Sequence, residues 1–229
     1  MSEARVIVFI VEGFSDKEAL NGILSELFDE KRIVFSIVDG DITTKNSTQV
    51  NNIRAKIGEY IDIAAQKDKF LKTDIFRVVH LVDTDGAYIP DLNIVENIEI
   101  KILYTQTHIE TKDVKSIIKR NEKKRAMLNI LSTMTSINKG KKSIPYCMYY
   151  MSCNLDHVIH NVQNLEDDQK VRYAEEFIDA YIDNPYEFVK FMSESDFTVH
   201  REYRDTWEFI KLGLNSLNRY SNFHLFFEE

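Results

Sequence analysis

Residues 5–13 read RVIVFIVEG, and residues 75–86 read IFRVVHLVDTDG. Both stretches hold a mostly apolar run rich in β-branched residues, which is typical of a strand covered on both faces. The first run ends at Glu12, and the second ends at Asp83 and Asp85. We therefore expect two buried strands whose carboxyl ends carry acidic side chains.

Strand and helix patterns alternate through the first half of the chain. Helical spacing of apolar residues covers 14–29 and 48–69, and strand-like runs cover 33–38 and 98–104. This alternation predicts an α/β fold with a mostly parallel sheet flanked by helices. Helical patterns follow near 166–182, 185–194 and 203–219. We expect a first domain over 1–163, with a basic helical insertion at about 112–142, and a C-terminal helical subdomain over 164–229.

The composition is that of an ordinary globular protein. Of 229 residues, 44% are hydrophobic and 29% are charged, which argues against disorder. The apolar run at residues 6–11 is too short for a signal peptide or a membrane span. Only two cysteines, Cys147 and Cys153, are present, as is usual in a reducing compartment. We expect a cytoplasmic protein without membrane association.

Charge is distributed unevenly along the chain. The net charge is −8, but residues 112–142 carry ten basic and two acidic residues, a balance of +8 that leaves −16 elsewhere. Such a basic segment indicates contact with a phosphate backbone, although a solvated lysine-rich helix gives the same pattern. The candidate nucleic-acid-binding residues are Lys115, Lys119, Arg120, Lys123, Lys124, Arg125, Lys141 and Lys142.

Glu12, Asp83 and Asp85 are the candidate catalytic residues. In a parallel sheet the carboxyl ends of strands meet at one edge, where α/β proteins place their sites. Clustered carboxylates repel one another unless a cation neutralises them, and oxygen ligands without His or Cys favour Mg²⁺, or Mn²⁺, over zinc. The alternative is that each acid caps a helix or fills a turn. Asp39 follows another predicted strand and is a second-tier candidate.

Residues 6–20 (VIVFIVEGFSDKEAL) and 78–86 (VVHLVDTDG) together resemble the Toprim domain. That domain is shared by topoisomerases, bacterial primases, ribosomal RNA maturation nucleases and the overcoming-lysogenization-defect class of nucleases. Its pattern is a hydrophobic strand ending in Glu-Gly, an Asp three residues after the Gly, and a second strand ending in Asp-x-Asp. The resemblance covers roughly residues 5–160 and is closest to small free-standing Toprim nucleases and to Toprim effectors of phage defence.

The resemblance also implies roles for individual residues. Glu12 would act as a general acid/base or metal ligand, and Asp83 and Asp85 would bind Mg²⁺. Asp156 matches more loosely an acid that opens a helix after the last strand, and would be a weaker metal ligand. Asp16 would cap its helix and would support the site residues without binding the metal itself.

The function that follows is a Mg²⁺-dependent endonuclease, an enzyme that cleaves phosphodiester bonds of DNA or RNA, including transfer RNA. The resemblance implies a toxic effector of anti-phage defence, held or triggered by a partner such as a sensor ATPase. One alternative is a haloacid-dehalogenase-like phosphatase with Asp83 as nucleophile, because residues 82–86 (VDTDG) resemble its first motif. Another is a non-catalytic Toprim module that binds a partner. The aromatic C-terminal region, which ends in FHLFFEE, suggests a homodimer contact.

Overall fold

The computed structural model of the protein describes residues 5–28, 31–37, 41–140 and 142–228. Its elements alternate between strands and helices in the first half, and helices dominate after the last strand. The strands are β1 (Arg5–Val11), β2 (Lys31–Ile37), β3 (Ile75–Asp83), β4 (Ile94–Glu96), β5 (Leu103–Tyr104), β6 (Ile109–Thr111), β7 (Ser136–Lys139) and β8 (Lys142–Met151). The α-helices are α1 (Phe14–Leu27), α2 (Ile53–Lys67), α3 (Val114–Leu131), α4 (Leu155–His160), α5 (Asp167–Tyr181), α6 (Pro185–Glu194) and α7 (Tyr203–Ile210).

The main sheet has five strands in the order β2-β1-β3-β8-β7. Strands β2, β1, β3 and β8 run parallel to one another, and β7 pairs antiparallel with β8. The predicted α/β fold with a mostly parallel sheet is confirmed. Because β1 and β3 lie side by side near the middle of the sheet, the residues that follow them share one edge.

Helices cover both faces of this sheet. Apolar side chains of α2, α3 and α7 form one hydrophobic cluster with the sheet. Side chains of α1, α4, α5 and α6 form a second cluster on the opposite face. In β1 every residue from Val6 to Val11 is at most 1% exposed, which is why its sequence is continuously apolar rather than alternating.

Three predicted elements are wrong. The helical insertion expected at about 112–142 is helical only over Val114–Leu131, and Ser136–Lys139 form β7 of the main sheet. Residues 98–104 do not form a strand of the main sheet, because only Leu103–Tyr104 are extended and they pair antiparallel with β6 in a small sheet of order β4-β6-β5. The helix predicted over 203–219 ends at Ile210, and Gly213 has a positive φ of 53° that breaks the helical path.

The C-terminal region packs against one face of the main sheet and forms part of its core. Phe223 and Phe226 are 0% and 2% exposed, and both rings contact Phe9 of β1. The boundary between 163 and 164 stays a prediction. Of the rings that suggested a homodimer contact, Phe223 and Phe226 are thus buried in the chain's own core, and Phe227 is half-buried. In the part of the chain that the structure describes, no helix is both long and apolar enough to cross a bilayer.

Candidate active site

The two predicted strand ends lie in contact. β1 and β3 are parallel neighbours, with Ile10 opposite His80. Glu12 follows β1 directly, and Asp83 is the last residue of β3. The backbone N–H of Asp83 donates a hydrogen bond to Oε1 of Glu12, with an N···O distance of 3.3 Å. The sheet therefore brings two of the predicted site residues together.

A tight turn after β3 places Asp85. Its φ is 49°, in the left-handed region, and Gly86 follows with a φ of 65°. The N–H of Asp85 donates to the carbonyl of Cys153 at 2.8 Å. The hydroxyl of Thr84 donates to the carbonyl of Ser216 at 2.6 Å. The turn is thus tied to the core at both of these residues.

Lys124 lies among the acids. Its Nζ is 2.7 Å from Oδ2 of Asp41, 2.5 Å from Oδ2 of Asp85 and 3.9 Å from Oε1 of Glu12. The side chain of Lys124 is fully buried. Its predicted role on a nucleic-acid-binding surface is wrong, because the ammonium group is enclosed by carboxylates of its own chain.

The periodicity of α3 could have revealed this placement. Residues three or four apart lie on the same side of a helix, and Lys124 is spaced in this way from Asn121 and from the apolar residues that follow. The buried residues of α3 are Asn121, Lys124, Met127, Leu128 and Leu131.

Asp41 is a site residue that the sequence interpretation missed. Its Oδ1 accepts hydrogen bonds from the N–H and the hydroxyl of Thr43, at 2.7 and 2.6 Å, while Oδ2 binds Lys124. Asp followed two residues later by Thr is typical of a turn closed by the Asp side chain. That spacing is present in the sequence, but the interpretation selected Asp39 instead, which lies outside the described residues.

Arg120 and Tyr104 hold Asp85 in place. The Tyr104 hydroxyl donates to Oδ1 of Asp85 at 3.2 Å, and Nη1 of Arg120 donates to that hydroxyl at 2.9 Å. Nη2 of Arg120 donates to the backbone carbonyl of Asp85 at 2.8 Å. Arg120 was predicted to contact nucleic acid, but its guanidinium is bound to the site's own residues. It acts here as a positioning residue for Asp85.

The other predicted acids lie around Asp83. Oδ1 of Asp83 accepts a hydrogen bond from the N–H of Leu155 at 3.0 Å. Oδ2 of Asp16 accepts from the N–H of Gly13, the N-cap residue of α1, at 2.9 Å. Asp16 therefore stabilises the start of α1 from within its first turn rather than from the N-cap position. Asp156 lies in the first turn of α4, and burial raises its pKa to about 6, with Lys170 opposing the rise.

Glu12 and Asp83 both hold a proton more tightly than ordinary acids do. Burial raises the pKa of Glu12 well above its usual value, and the nearby carboxylate of Asp41 adds to the rise. Burial likewise raises the pKa of Asp83, and the carboxylates of Glu12 and Asp16 raise it further. Lys124 opposes both shifts without cancelling them. This shift suits the two groups to proton transfer.

Asp85 and Lys124 form a stable ion pair. Burial alone would raise the pKa of Asp85, but Lys124 and Arg120 outweigh it and hold that pKa below its usual value. Burial alone would lower the pKa of Lys124, but Asp41, Asp85 and Glu12 raise it well above its usual value. Both groups stay charged, so Lys124 is a fixed cation within the site.

The oxygen atoms of the clustered acids are the type of ligand that Mg²⁺ binds. Among the described residues, no three His, Cys, Asp or Glu side chains stand as ready ligands for one metal ion. The acids nevertheless offer only hard oxygen donors, which Mg²⁺ prefers. They also outnumber the cations that compensate them. The five acids are Glu12, Asp16, Asp41, Asp83 and Asp85, and the two cations are Lys124 and Arg120.

Only two of the remaining basic candidates are exposed. Lys115 and Lys119 are exposed on α3. Lys123 donates to the carbonyls of Thr44 and Lys45. The others are Arg125, which is half-buried, Lys142, which donates to the carbonyls of Thr73 and Ile75, and Lys141, which lies outside the described residues. The exposed basic surface is thus smaller than the sequence predicted.

Comparison with protein-family models, with curated proteins and with solved structures finds no match to this chain. The resemblance described above therefore rests on residues 6–20 and 78–86. The structure adds that the strands of these two segments are adjacent and parallel.

Proposed function

We propose that the chain is a metal-dependent nuclease, an enzyme that hydrolyses phosphodiester bonds of DNA or RNA. One observation carries the proposal: Glu12 and Asp83 meet at adjacent strand ends, and burial with neighbouring carboxylates raises both pKa values. Strongly shifted pKa values are characteristic of functional sites. A divalent cation would offset the repulsion between these buried carboxylates. The Toprim resemblance of the same two segments supports the assignment to phosphoryl chemistry.

The site residues divide into three roles. Glu12 and Asp83, with Asp85, would hold Mg²⁺ or Mn²⁺, which supplies charge stabilisation and an activated water when bound. Glu12, oriented by the N–H of Asp83, holds and releases a proton. Lys124 holds Asp41 and Asp85 in place through ion pairs. Its positive charge would lie beside the phosphate that is cleaved.

The nucleic-acid substrate is supported by surface features near the site. Phe14 is 59% exposed and lies two residues after Glu12, where a base could stack on its ring. Lys17 lies over this ring, with Nζ 5.7 Å from the centroid. Lys115 and Lys119 supply exposed positive charge on α3. An exposed ring with a lysine beside it, as Phe14 and Lys17 form here, can hold a single strand by stacking and charge.

The direct test is cleavage by the purified protein. Wild type is incubated with Mg²⁺ or Mn²⁺ and with DNA, RNA or transfer RNA, and products are separated by size. We expect cleavage that EDTA abolishes and that Glu12→Gln and Asp83→Asn reduce by at least about 100-fold. Glu99→Gln, an exposed acid on the small-sheet loop, is the matched control and should cleave normally. Cleavage that persists in both site variants would overturn the proposal.

The same assay separates the alternatives. A phosphatase would hydrolyse small phosphate esters and trap a phosphoryl group on Asp83. That role leaves Glu12, which accepts the Asp83 N–H, without a function. A non-catalytic module would cleave nothing, alone or with a partner ATPase, whereas a nuclease held silent would cleave once its partner is present.

A further inference from the structure

The carbonyl oxygen of Ser216, in the segment after α7, accepts three hydrogen bonds beside the end of β3. The hydroxyl of Thr84 donates to it at 2.6 Å. The N–H groups of Gly86 and Cys153 donate to it at 3.0 and 3.2 Å. The hydroxyl oxygen of the same serine accepts from the N–H of Tyr88 at 3.0 Å. A carbonyl oxygen has two lone pairs, so three donors exceed what the burial of one carbonyl requires.

The residues on either side of Ser216 bind the same part of the protein. The Ser152 hydroxyl donates to the carbonyl of Asn215 at 2.7 Å. The side-chain amide of Gln163 donates to the carbonyl of Leu217 at 2.9 Å. Residues 215–217, which we call the clasp, thus join the turn after β3 to the residues that flank α4. They belong to the region that the sequence predicted as a separate C-terminal subdomain.

The clasp binds next to two residues whose backbone conformation is unfavourable. Asp85 and Cys153 have φ values of 49° and 59°, in a region that residues other than glycine rarely adopt. The N–H of Asp85 donates to the carbonyl of Cys153 at 2.8 Å. Ser216 bonds to Cys153 itself and to Gly86, which follows Asp85. Such conformations persist where surrounding contacts enforce them, and the clasp supplies contacts of this kind.

Thr84 links the clasp to the acidic site through its side chain. It lies between Asp83 and Asp85, the two aspartates to which we assign the metal. Thr84 is 0% exposed, and its hydroxyl accepts from the N–H of Cys153 at 2.9 Å while it donates to Ser216. A change at this hydroxyl therefore acts on both neighbouring carboxylates.

We propose that Thr84 and Ser216 are positioning residues, which fix the Asp85 carboxylate relative to Asp83 so that both can bind one Mg²⁺. The inference rests on the proposed metal-dependent nuclease and adds a residue of the C-terminal region to its site. Groups that orient metal ligands commonly govern how tightly the metal binds.

Three substitutions separate this role from a merely structural one. Thr84→Val keeps the shape of the side chain but puts a methyl group 2.6 Å from the Ser216 carbonyl, so the contact must open. Thr84→Ser retains the hydroxyl and should behave as wild type does. Thr206→Val is the matched control, because the Thr206 hydroxyl is also 0% exposed, donates to a carbonyl at 2.6 Å and accepts from an amide at 2.9 Å.

The first measurement is hydrogen exchange of the metal-free chain in EDTA, followed by mass spectrometry. We expect the amides of residues 83–88 to exchange at least about tenfold faster in Thr84→Val, because the bonds from Gly86 and Tyr88 to Ser216 are weakened. In Thr84→Ser and in Thr206→Val these residues should exchange as in wild type.

The second measurement is the Mg²⁺ dependence of binding, by calorimetry, and of cleavage. We expect Thr84→Val to bind Mg²⁺ at least about tenfold more weakly and to need correspondingly more Mg²⁺ for half-maximal cleavage. Its KM for nucleic acid at saturating Mg²⁺ should not change, because Phe14 and the exposed lysines of α3 are untouched. Thr206→Val should melt below wild type but should shift neither Mg²⁺ quantity.

Ser216→Ala keeps the proposal testable if Thr84→Val does not fold. It removes only the acceptor of the Tyr88 N–H and retains the carbonyl, so exchange and Mg²⁺ affinity should change in the same direction by a smaller factor.

Unchanged exchange at residues 83–88 in Thr84→Val would overturn the proposal, as would an unchanged Mg²⁺ affinity. An equal loss of Mg²⁺ affinity in Thr206→Val would also overturn it, because reduced stability alone would then weaken the site. If wild type binds Mg²⁺ but cleaves no nucleic acid, only the nuclease assignment fails, and weaker Mg²⁺ binding by Thr84→Val still supports the positioning roles. A wild type that binds no Mg²⁺ would overturn both.

Discussion

At Lys124 a full positive charge is buried against Asp41 and Asp85. Removing one partner of such a group leaves the other charges buried and unpaired, which costs about 3–5 kcal/mol. We expect Lys124→Met to lower the free energy of unfolding by about this amount at pH 7, measured by urea denaturation. The loss should shrink as the pH falls below about 4, because Asp85, whose pKa Lys124 holds down, then takes up a proton.

Lys115→Met is the matched control for Lys124→Met. Lys115 lies on the same helix but is exposed, so this change should alter the unfolding free energy by no more than about 0.5 kcal/mol. Equal stability of the two variants at pH 7 would show that the Lys124 ammonium does not compensate the acids.

Glu12 and Asp83 should destabilise the metal-free protein at high pH. Their folded pKa values lie above those of the unfolded chain, so the folded state binds more protons. The unfolding free energy therefore falls as the pH rises from about 4 through the folded pKa values. Glu12→Gln and Asp83→Asn remove the charge but keep an acceptor oxygen for the N–H groups of Asp83 and Leu155.

We expect both variants to melt above wild type at pH 8 in EDTA, by about 2–4 °C for each kcal/mol of strain removed. Mg²⁺ should raise the melting temperature of wild type and leave both variants unchanged. Thermal unfolding with and without Mg²⁺ is the measurement, with Glu99→Gln responding as wild type does. A variant that melts below wild type at pH 8 would contradict the assigned strain.

At the scale of elements, the turn after β3 determines where Asp85 lies. Gly86 has a positive φ, and a Cβ there would stand 3.1 Å from side-chain carbons of Ile109 and Leu217. Gly86→Ala should therefore cost about 1–3 kcal/mol through this crowding, beyond the strain that any non-glycine residue meets at a positive φ, and should lower nuclease activity by displacing Asp85. Gly140→Ala is the control, since its φ of 63° is similar but no described atom lies within 4 Å of its Cβ. Equal cost at both glycines, with activity retained, would show that the turn tolerates the contact.

Elements with strong periodicity could be predicted from the sequence. Val6 to Val11 is apolar without interruption because both faces of β1 are covered, and α1 has its apolar residues on one face. The segment 98–104 looked like a strand because Ile98, Ile100 and Ile102 alternate with polar residues. Alternation does not reveal which sheet a strand joins, and here Ile98 is 78% exposed.

The charge partners of Lys124 could not be predicted in the same way, because helical spacing places this residue on the buried side of α3 but does not reveal which acids it contacts. Lys124 lies in a run of basic residues, and local charge predicts a solvated face. Only the folded sheet shows that α3 crosses above the acidic edge, where three carboxylates attract this lysine. Asp41 lies between two elements, so its position depends on the same long-range packing.

At the scale of the whole molecule, α5, α6 and residues 223–226 cover one face of the main sheet. A fragment that ends at residue 163 would expose that face to water. We therefore expect the fragment 1–163 to show no cooperative thermal transition, whereas the full chain should unfold in one transition. Circular dichroism of both proteins is the measurement. A cooperative fragment would establish 1–163 as an independent domain.

The contribution of the C-terminal segment to stability can also be tested with a single substitution in the full chain. Phe223 is 0% exposed and packs against Phe9 and Tyr149, so Phe223→Ala should lower the unfolding free energy by about 3–5 kcal/mol. Phe14, at 59% exposure, is the matched control, and Phe14→Ala should change stability by no more than about 0.5 kcal/mol. Urea denaturation of both variants measures the difference. If Phe223→Ala is as stable as Phe14→Ala, the C-terminal segment does not contribute to the core, and its rings would be free to contact a second chain.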